Sequence, residues 1–576
     1  MKKIFFFLKS NLEEINPRPN LVSLGSNVKN DLLAGVTVGI IALPLALAFG
    51  EISQLGPVAG IWGAIAGGII GGFFGGCMVG VSGPTAPKAA QIAGFMSFFV
   101  IGEMNNPDLI AAFSIIFLSG LILVLISLLK ISRFIHYTPY PVIAGFMCGI
   151  GVIVILTQLN AFVGLEVQSS IHDVIINIAY TLQNYNADAL LVSLPCLLIL
   201  FLWPYLAKRI EWLATIPAPL TALIVGTSIA YSMNLNIPYI GDKMGSAAES
   251  EVFNFYIPNF TRIGEFFLPA MALAGLAILD SLLSCKVADN LTNTRHSSDR
   301  ETFGQGMANM AAGLFGGVTT ATATMRTVAN IKFGAKTPLA SIVHGLTLLA
   351  ILLGMGSLVA LIPTACLAAI LFKVGIEIMD YRILPFLKKI PLTDLFIFTI
   401  VLFVTVLEDL MIAIAIGIVF AVLNRRNEIR SFIKIKSKIL ISGLKGTEFE
   451  PKNFESSMFD EIPVRLLKPM GPLFFGSVEP MIESYNLTKK HEILIVDLSS
   501  VSMIDLTGVF ALEDLIKNAM MKNIEVFIIN IEPQIEKILL ELGFNKNIGS
   551  DNFKASRKSI MPILEKRYDL LSRSQS

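Results

Sequence analysis

Apolar stretches long enough to cross a bilayer recur through most of this chain. Each holds roughly 20 residues, the length that an α-helix needs to span the hydrocarbon core. Because a helix pairs its backbone polar groups within one segment, this recurrence predicts a polytopic α-helical membrane domain over 31–424. The fourteen predicted segments are 31–50, 56–76, 79–101, 109–129, 137–159, 188–207, 214–233, 264–289, 303–318, 319–333, 337–357, 358–379, 391–407 and 409–424.

The distribution of charge divides the chain into domains. Only 15% of the 576 residues are charged, against about 25% in soluble proteins, and the deficit lies within the apolar region. We therefore predict a cytosolic N-terminal segment (1–30), the membrane domain (31–424), a linker (425–459) and a soluble domain (460–576).

Charged loops orient the predicted segments. With the N-terminus in the cytosol, cytosolic loops hold cations such as Lys130, Lys208 and Arg382, whereas outer loops hold acids such as Glu166 and Glu251. The positive-inside rule describes this distribution. The even number of segments then puts both termini in the cytosol. Since no signal peptide precedes the first segment, we expect the cytoplasmic (inner) membrane of a bacterium.

The composition argues against nucleic-acid binding and catalysis. The net charge is +1, and the five cysteines are scattered singly, without the Cys or Cys/His spacing of a zinc site. The sequence has no P-loop and no nucleophile–base pair, so it predicts neither an ATP-driven pump nor an enzyme. No cofactor is expected apart from a coupling ion.

Two segments contain polar breaks at matching positions. Residues 80–90 and 316–327 are small, polar stretches in the third and tenth segments, so each lies in the third segment of its seven. A broken backbone at membrane depth must line a cavity, and matching breaks in two halves indicate a transporter's binding site. Helix N-termini at the breaks would favour an anion. The alternative is close packing of small residues.

An isolated carboxylate lies in the eighth segment. Asp280 stands in an uncharged run, where it costs at least about 2.5 kcal/mol, and Ser284 lies one helical turn further on the same face. Facing the break at Thr322–Thr324, the two would form an oxygen-rich site for Na⁺. Asp280 could instead carry a proton, or be bonded to backbone amides without a transport role.

Two cations follow the breaks. Lys88 and Arg326 each lie just after the polar stretch of their segment, where a positive charge could balance a bound anion. Arginine suits bidentate contact with an oxyanion, whereas lysine acts as a point charge. Alternatively, either side chain extends to the cytosolic interface.

These motifs together resemble the SulP (sulfate permease) family. They are the run 274–294, Gly304-Gln305-Gly306, the stretch 316–330, the run 41–50 and Ser82-Gly83-Pro84-Thr85. The resemblance implies 14 transmembrane segments as a 7+7 inverted repeat that forms a core domain and a gate domain. It also implies an anion site between the half-helices of the third and tenth segments, a homodimer and an elevator-like alternating-access cycle.

Within the family, the motifs are most similar to those of cyanobacterial sodium-dependent bicarbonate transporters. That likeness implies a sodium site formed by Asp280, Ser284, Thr324 and the backbone of Thr322. Ser284 replaces a threonine in the motif and keeps the hydroxyl.

The same likeness implies an anion site at the two breaks. Its expected residues are Thr85, Ala86 and Ala323, with Lys88 and Arg326 as additional ligands. Both cations depart from the bicarbonate transporters' pattern, and their extra positive charge would suit a dianion such as sulfate.

Residues from about 460 alternate between strands and helices. Continuous apolar runs predict buried strands at Ile493–Leu498 and Ile524–Ile529, and helical patterns cover Val509–Met520 and Pro533–Leu542. The domain resembles the STAS domain that SulP transporters share with bacterial anti-sigma-factor antagonists. The antagonists' phosphorylated serine is Leu506 here, so that switch is lost and Thr507 remains a weaker regulatory candidate. Support of folding or dimer contact is an equally good role for the domain.

The sequence therefore predicts a secondary active transporter of a small inorganic anion, with Na⁺-coupled bicarbonate uptake as the first hypothesis. A sulfate transporter coupled to Na⁺ or H⁺ is the alternative with the same fold. A passive anion channel is less favoured, because it gains nothing from a buried Asp280. A nucleobase transporter of a related inverted-repeat fold is disfavoured by the STAS-like tail.

Overall fold

The protein's structure, a computed structural model, divides into two compact units. Unit 1 comprises Met1–Ile135, Met147–Met379 and Leu402–Ile412, and unit 2 comprises His136–Phe146, Asp380–Val401 and Ala413–Ser576. The structure describes residues 15–96, 99–101, 106–132, 138–166, 171–210, 216–244, 255–292, 294–354, 356–379, 390–407, 410–434, 439–442, 464–486, 491–544, 552–553, 555, 558, 560–564 and 566. The start of the predicted N-terminal segment (1–14) and most of the predicted linker (435–438 and 443–459) lie outside the described residues.

Helices occupy the predicted apolar segments. In chain order, the helices up to residue 434 are α1 (Arg18–Ser23), α2 (Val28–Ile52), α3 (Pro57–Phe74, with a π turn at Gly67–Gly71), α4 (Ala86–Met96), α5 (Leu109–Leu128), α6 (Tyr140–Thr157), α7 (Leu159–Phe162), α8 (Ile171–Ile176), α9 (Ile178–Gln183), α10 (Ala187–Arg209), α11 (Ala218–Ser232), α12 (Ile240–Met244), α13 (Ile263–Thr292), α14 (Ser298–Leu314), α15 (Thr324–Lys332), α16 (Leu339–Gly354), α17 (Gly356–Ala360), α18 (Thr364–Ile378), α19 (Leu392–Leu407), α20 (Leu410–Asn424) and α21 (Arg426–Lys434).

The lengths of these helices suit a multi-pass membrane protein. Six of the described helices are long and apolar enough to cross a bilayer, and four shorter ones are apolar over 10–17 residues. A helix or a half-helix lies in each predicted interval. The number of transmembrane segments and the inverted repeat remain predictions.

Short strands replace helix at the two predicted breaks. In the third segment, β1 (Ser82–Gly83) precedes α4, and in the tenth segment β4 (Ala321–Thr322) precedes α15. The two strands pair antiparallel, with Ser82 opposite Thr322. The half-helices α4 and α15 therefore each begin within three residues of the point where β1 and β4 cross. A second small pair, β2 (Val100–Ile101) and β3 (Asn106–Pro107), follows α4.

Close helix packing holds unit 1 together. Helices α5 and α14 approach so tightly that a Cβ on Gly120 would lie 2.5 Å from the backbone nitrogen of Met310 and 2.6 Å from the carbonyl oxygen of Gly306. Small residues permit this approach in membrane proteins. Buried side chains from α4, α5 and α13, including Ile92, Ile116 and Leu273, form one apolar core beside this contact.

The C-terminal part of unit 2 is an α/β domain. Its strands are β5 (Ile439–Ser442), β6 (Val464–Pro469), β7 (Gly471–Leu473), β8 (Ile493–Asp497), β9 (Val501–Ile504) and β10 (Glu525–Ile529), and its helices are α22 (Phe475–Asn486), α23 (Leu506–Met521) and α24 (Pro533–Glu541). Four strands form a sheet in the order β10-β8-β6-β5, parallel except for β5, and β7 pairs with β9.

Both predicted strands of this domain agree with the structure to within one residue. Helix α23 begins three residues earlier than its apolar pattern predicted. The reason is a cap: the side chain of Asp505 accepts a hydrogen bond from the backbone N–H of Gly508 at 2.8 Å, which satisfies a donor of the first turn.

Candidate anion and cation site

A cluster of four buried polar side chains supports the crossing of β1 and β4. We call Ser82, Glu301, Gln305 and Thr322 the bonded cluster. The amide nitrogen of Gln305, which has two protons to donate, lies 2.6 Å from Ser82 Oγ, 2.8 Å from Glu301 Oε1 and 3.0 Å from Thr322 Oγ1. The hydroxyl of Thr322 also donates to Glu301. The cluster thereby joins both strands to helix α14.

Glu301 has hydrogen bonds on both carboxylate oxygens. Besides the two bonds to Oε1, Oε2 accepts from the backbone N–H groups of Gly76 and Cys77 at 2.8 and 3.0 Å. These donors satisfy both oxygens of a buried carboxyl group. Glu301 therefore fixes the chain after α3 against α14 and the breaks.

Sequence reasoning missed this cluster, although a signal was present. Glu301, Gln305 and Asn309 follow one another at intervals of four and so lie on one face of α14. Asn309 continues the pattern, because its Nδ2 donates to the carbonyl of Thr320 at 3.0 Å and its Oδ1 accepts from the N–H of Thr320 at 2.7 Å. Three polar residues at helical spacing, next to a broken segment, would have identified the helix that supports the break.

Of the predicted sodium ligands, Ser284 and Thr324 bond to each other, whereas Asp280 bonds to Thr85, a residue predicted for the anion site. Asp280 is partly exposed and accepts a hydrogen bond from Thr85 Oγ1 at 2.6 Å. The hydroxyls of Ser284 and Thr324 bond to each other at 2.8 Å. The side chain of Thr322 belongs to the bonded cluster, and its backbone N–H donates to Ser281 Oγ at 3.2 Å. A backbone contact to a cation, which the resemblance implies, would therefore use its carbonyl oxygen.

Carboxylate and hydroxyl oxygens are the ligands that hard cations prefer. Asp280, Ser284 and Thr324 fit Na⁺ by donor type. Among the residues that the structure describes, no group of three or more His, Cys, Asp or Glu side chains is placed to hold a metal ion. A cation here would therefore depend on one carboxylate and neutral oxygens, which is the donor set of a weak, exchangeable alkali-ion site rather than of a structural metal.

Two buried cations lie beside these groups, and we call Lys88 and Arg326 the cation pair. Lys88 is fully buried and Arg326 is 2% exposed. Within the described part of the chain, Lys88 Nζ and both terminal nitrogens of Arg326 have no hydrogen-bond partner. Both cations interact electrostatically with Asp280, but neither forms an ion pair with it within 4.0 Å. Neither side chain extends to the interface, which was the alternative for each.

The backbone makes room for Arg326. A Cβ on Gly83 would collide with Nη1 of the guanidinium. Any other residue at position 83 would therefore displace the arginine from the crossing of β1 and β4. Glycine is therefore needed at the second position of the motif Ser82-Gly83-Pro84-Thr85, because a side chain there would occupy the space of the guanidinium.

The predicted backbone donors of the anion site are only partly available. The N–H of Ala323 donates to the carbonyl of Val81 at 3.0 Å, so Ala323 offers no free donor. In the first turn of α4, Pro87 has no N–H, which leaves Ala86 and Lys88 as donors. Thr85 already donates its hydroxyl proton to Asp280. The strongest donors for an anion are therefore the side chains of the cation pair.

Thr507 lies in the first turn of α23, in unit 2. Its Oγ1 accepts a hydrogen bond from the backbone N–H of Tyr140 at 3.0 Å. The structure thus gives this predicted regulatory residue a role in contact between the α/β domain and the start of α6.

Comparison with known proteins identifies both parts of the chain. Residues 28–401 match the model of the sulfate permease family, and residues 460–560 match the STAS domain. The bicarbonate transporter BicA of Picosynechococcus sp. is 32% identical over 93% of this chain and 94% of its own. The putative sulfate transporter YvdB of Bacillus subtilis is 29% identical over 91% of this chain and 96% of its own.

A solved structure agrees with this assignment. The transmembrane domain of a cyanobacterial bicarbonate transporter BicA superimposes with a TM-score of 0.60 and 34% identity, over 67% of this chain and 97% of that domain. Fold and site thus define a multi-pass integral membrane transporter with two opposed half-helices. The chain belongs to the sulfate permease family and carries a C-terminal STAS domain. It is an anion transporter of that family, not an enzyme, and the predicted resemblance is confirmed.

Proposed function

We propose that this protein takes up bicarbonate by secondary active transport, with Na⁺ as the coupling ion. The observation that carries the proposal is the cation pair, two buried positive charges without hydrogen-bond partners among the described residues. Buried charges are costly unless they are paired. A bound anion between the half-helices would supply the missing partner, and the helix N-termini would add favourable dipoles. The BicA relatives make bicarbonate the first candidate.

The position of Asp280 supports Na⁺ as the coupling ion. Its carboxylate is partly exposed, and the hydroxyls of Ser284 and Thr324 lie at the same break. A cation bound to these oxygens would attract the anion, so each ion would raise the other's affinity by the same factor. Thermodynamic linkage of this kind is what symport needs.

Counting charges separates the two candidate substrates. With Lys88 and Arg326 protonated and Asp280 ionised, the three side chains sum to +1. One monovalent anion such as bicarbonate neutralises that charge without Na⁺. One Na⁺ raises the sum to +2, which a dianion such as sulfate neutralises. With Na⁺ bound, the charge count by itself thus favours sulfate, as do relatives named as sulfate transporters. Bicarbonate stays the first candidate because of the BicA relatives, and sulfate is the second.

The remaining expectations complete the proposal. Antiparallel pairing of β1 with β4 supports an inverted repeat, whose two halves would exchange access in an elevator-like cycle. We place the protein in the cytoplasmic membrane of a bacterium, with cytosolic termini, as a homodimer in which the STAS domain takes part.

Uptake into proteoliposomes tests the proposal. Labelled bicarbonate and labelled sulfate are offered with and without an inward Na⁺ gradient, to wild type and to Asp280→Asn. We expect Na⁺-stimulated bicarbonate uptake that the variant loses. Asp289→Asn is the matched control, because Asp289 lies on the same helix but bonds to His296 at 2.7 Å; it should retain uptake.

The other outcomes have defined meanings. Na⁺-stimulated sulfate uptake would replace the substrate and keep the site. Uptake that is indifferent to Na⁺ but follows a proton gradient would leave Asp280 as a proton carrier. Uptake that runs only down the anion's own gradient, in wild type and variant alike, would refute secondary active transport and favour a channel.

A further inference from the structure

The N-terminal turn of helix α23 is a docking surface for the ends of membrane helices within unit 2. Besides the bond from Tyr140 to Thr507, the ring of Tyr140 lies 4.6 Å from the ring of Phe510. Asp394, at the start of α19, lies beside the backbone N–H of Leu506. Arg425, directly after α20, forms an ion pair with Asp394 at 3.4 Å. Three membrane helices thus contribute to one small contact with the STAS domain.

Two buried carboxylates share this contact with one arginine. Asp394 is 4% exposed and Asp505 is 5% exposed. Of the charged groups on the elements packed around Asp505, Asp394 and Arg425 are those that act on it electrostatically. Among the described residues, Oδ2 of Asp394 has no hydrogen-bond partner. If both carboxylates were ionised, the contact would hold a buried, uncompensated negative charge, which is costly.

One proton removes that cost. If either carboxylate binds H⁺, the pair carries a single negative charge that Arg425 balances. We propose that this surface is a proton-dependent clamp, in which a proton bound by either Asp394 or Asp505 holds the STAS domain on the ends of the membrane helices. The inference goes beyond the proposed transport function and rests only on its cytosolic placement of the STAS domain.

The clamp would open as the cytosolic pH rises. Burial, together with the charge of Asp394, raises the pKa of Asp505 from 3.8 to about 7. A carboxyl group whose pKa is raised in the docked state favours docking at low pH. That contribution declines as the pH rises and is lost once the pH passes about 7. The titration would thus fall within the range that a bacterial cytosol experiences.

Hydrogen exchange of the full-length protein in lipid nanodiscs tests the clamp. The backbone amides of residues 506–510 are followed from pH 6 to pH 8, after correction for the intrinsic pH dependence of exchange. In wild type, we expect their protection to fall by up to tenfold for each pH unit below about pH 7, the limit for release of one proton, and to level off above it. Protection that is constant over this range would overturn the proposal. This readout requires no transport, so it is independent of the proposed substrate and coupling ion.

Two variants and a control identify the proton's site. Asp505→Asn keeps a capping side chain but cannot ionise, so residues 506–510 should stay protected at pH 8. Asp394→Asn should have the same effect. Because the two variants alter different elements, a folding defect in one of them would not produce the same result in both. Asp497→Asn removes a carboxylate that pairs with Lys468 at 2.9 Å elsewhere in the STAS domain, and it should keep the wild-type titration. A wild-type titration in both Asp505→Asn and Asp394→Asn would assign the proton to another group and overturn the clamp.

Discussion

The bonded cluster and the cation pair are neighbours that differ in how their polar atoms are satisfied. In the bonded cluster, Gln305 and Glu301 have partners on the two broken segments and on the chain after α3. In the cation pair, Lys88 Nζ and the terminal nitrogens of Arg326 have no hydrogen-bond partner among the described residues. Both sets are equally buried, so exposure to water does not explain the difference.

This difference indicates that the bonded cluster supports the fold, whereas the cation pair belongs to the binding site. A satisfied polar network holds its backbone in one arrangement, and a partial loss of it is destabilising. Unpaired buried charges give the fold nothing, so they persist where a ligand pairs with them in the working cycle. The contrast predicts that mutations in either set will weaken transport, but that only mutations in the bonded cluster will also lower stability.

The largest expected effect is that of Arg326→Met. Removal of the guanidinium deletes charge-assisted bonds to the anion worth about 1.5–3 kcal/mol, so kcat/KM for uptake should fall about 10- to 100-fold. The Tm should stay the same or rise, because a buried unpaired charge has been removed. Flux assays and thermal unfolding measure the two quantities. Arg262→Met is the control, since Arg262 is 40% exposed and pairs with Asp108 and Glu265. A clear drop in Tm for Arg326→Met would place Arg326 in the scaffold.

Gln305→Leu should lower the stability of the protein as well as weaken transport. It leaves Ser82, Thr322 and Glu301 without their shared donor, which should lower the free energy of unfolding by about 1–3 kcal/mol. The KM for the anion should also rise, because the crossing of β1 and β4 is no longer held. Thr302→Val removes a buried hydroxyl bond to Ser298 on the same helix. An equal loss of stability with an unchanged KM in both variants would show that the cluster supports folding alone.

A smaller effect, on selectivity, is expected for Lys88→Met. Loss of one positive charge should reduce sulfate uptake more than bicarbonate uptake, and a few-fold shift in the ratio of their kcat/KM values is expected. Lys88→Arg should preserve the wild-type ratio, since it keeps the charge. Competition between the two labelled anions measures the shift. An unchanged ratio in Lys88→Met would remove Lys88 from the anion site.

The smallest effect concerns the partly exposed ion pair of Asp497 and Lys468 in the STAS domain. Burial tends to raise the pKa of Asp497, but the N–H of Ser499 and the ammonium of Lys468 outweigh it, and the pKa is lowered overall. Asp497 therefore stabilises the domain above its ordinary pKa of 3.8, and this stabilisation is lost as the pH falls through the lowered value. Asp497→Asn should cost about 1 kcal/mol or less at pH 7, measured by chemical unfolding. The difference from wild type should vanish in acid; a constant difference would mean that the charge is irrelevant.

Much of the fold was predictable because its signals are local. Apolar runs located the membrane helices to within a few residues, and alternating strand and helix patterns located the STAS domain. The opposed breaks were predictable from their composition and matching positions, and Asp280 from its isolation in an apolar run. Glu301 was not recognised, because its partners Gly76 and Cys77 lie more than 220 residues away in the chain.

The sequence alone therefore determined the class of protein, its membrane segments and the residue types available at the breaks. Each of these depends on the hydrophobicity and backbone preferences of contiguous residues. Tertiary structure alone decided which polar groups are satisfied. It engaged Thr322 and Ala323 in the scaffold and left Lys88 and Arg326 unpaired, and it placed Asp505 beside Asp394. Hydrogen bonds and electrostatic interactions are short-range in space but not in sequence, so the distant segments must fold together before it is known which charges remain for a ligand or a proton.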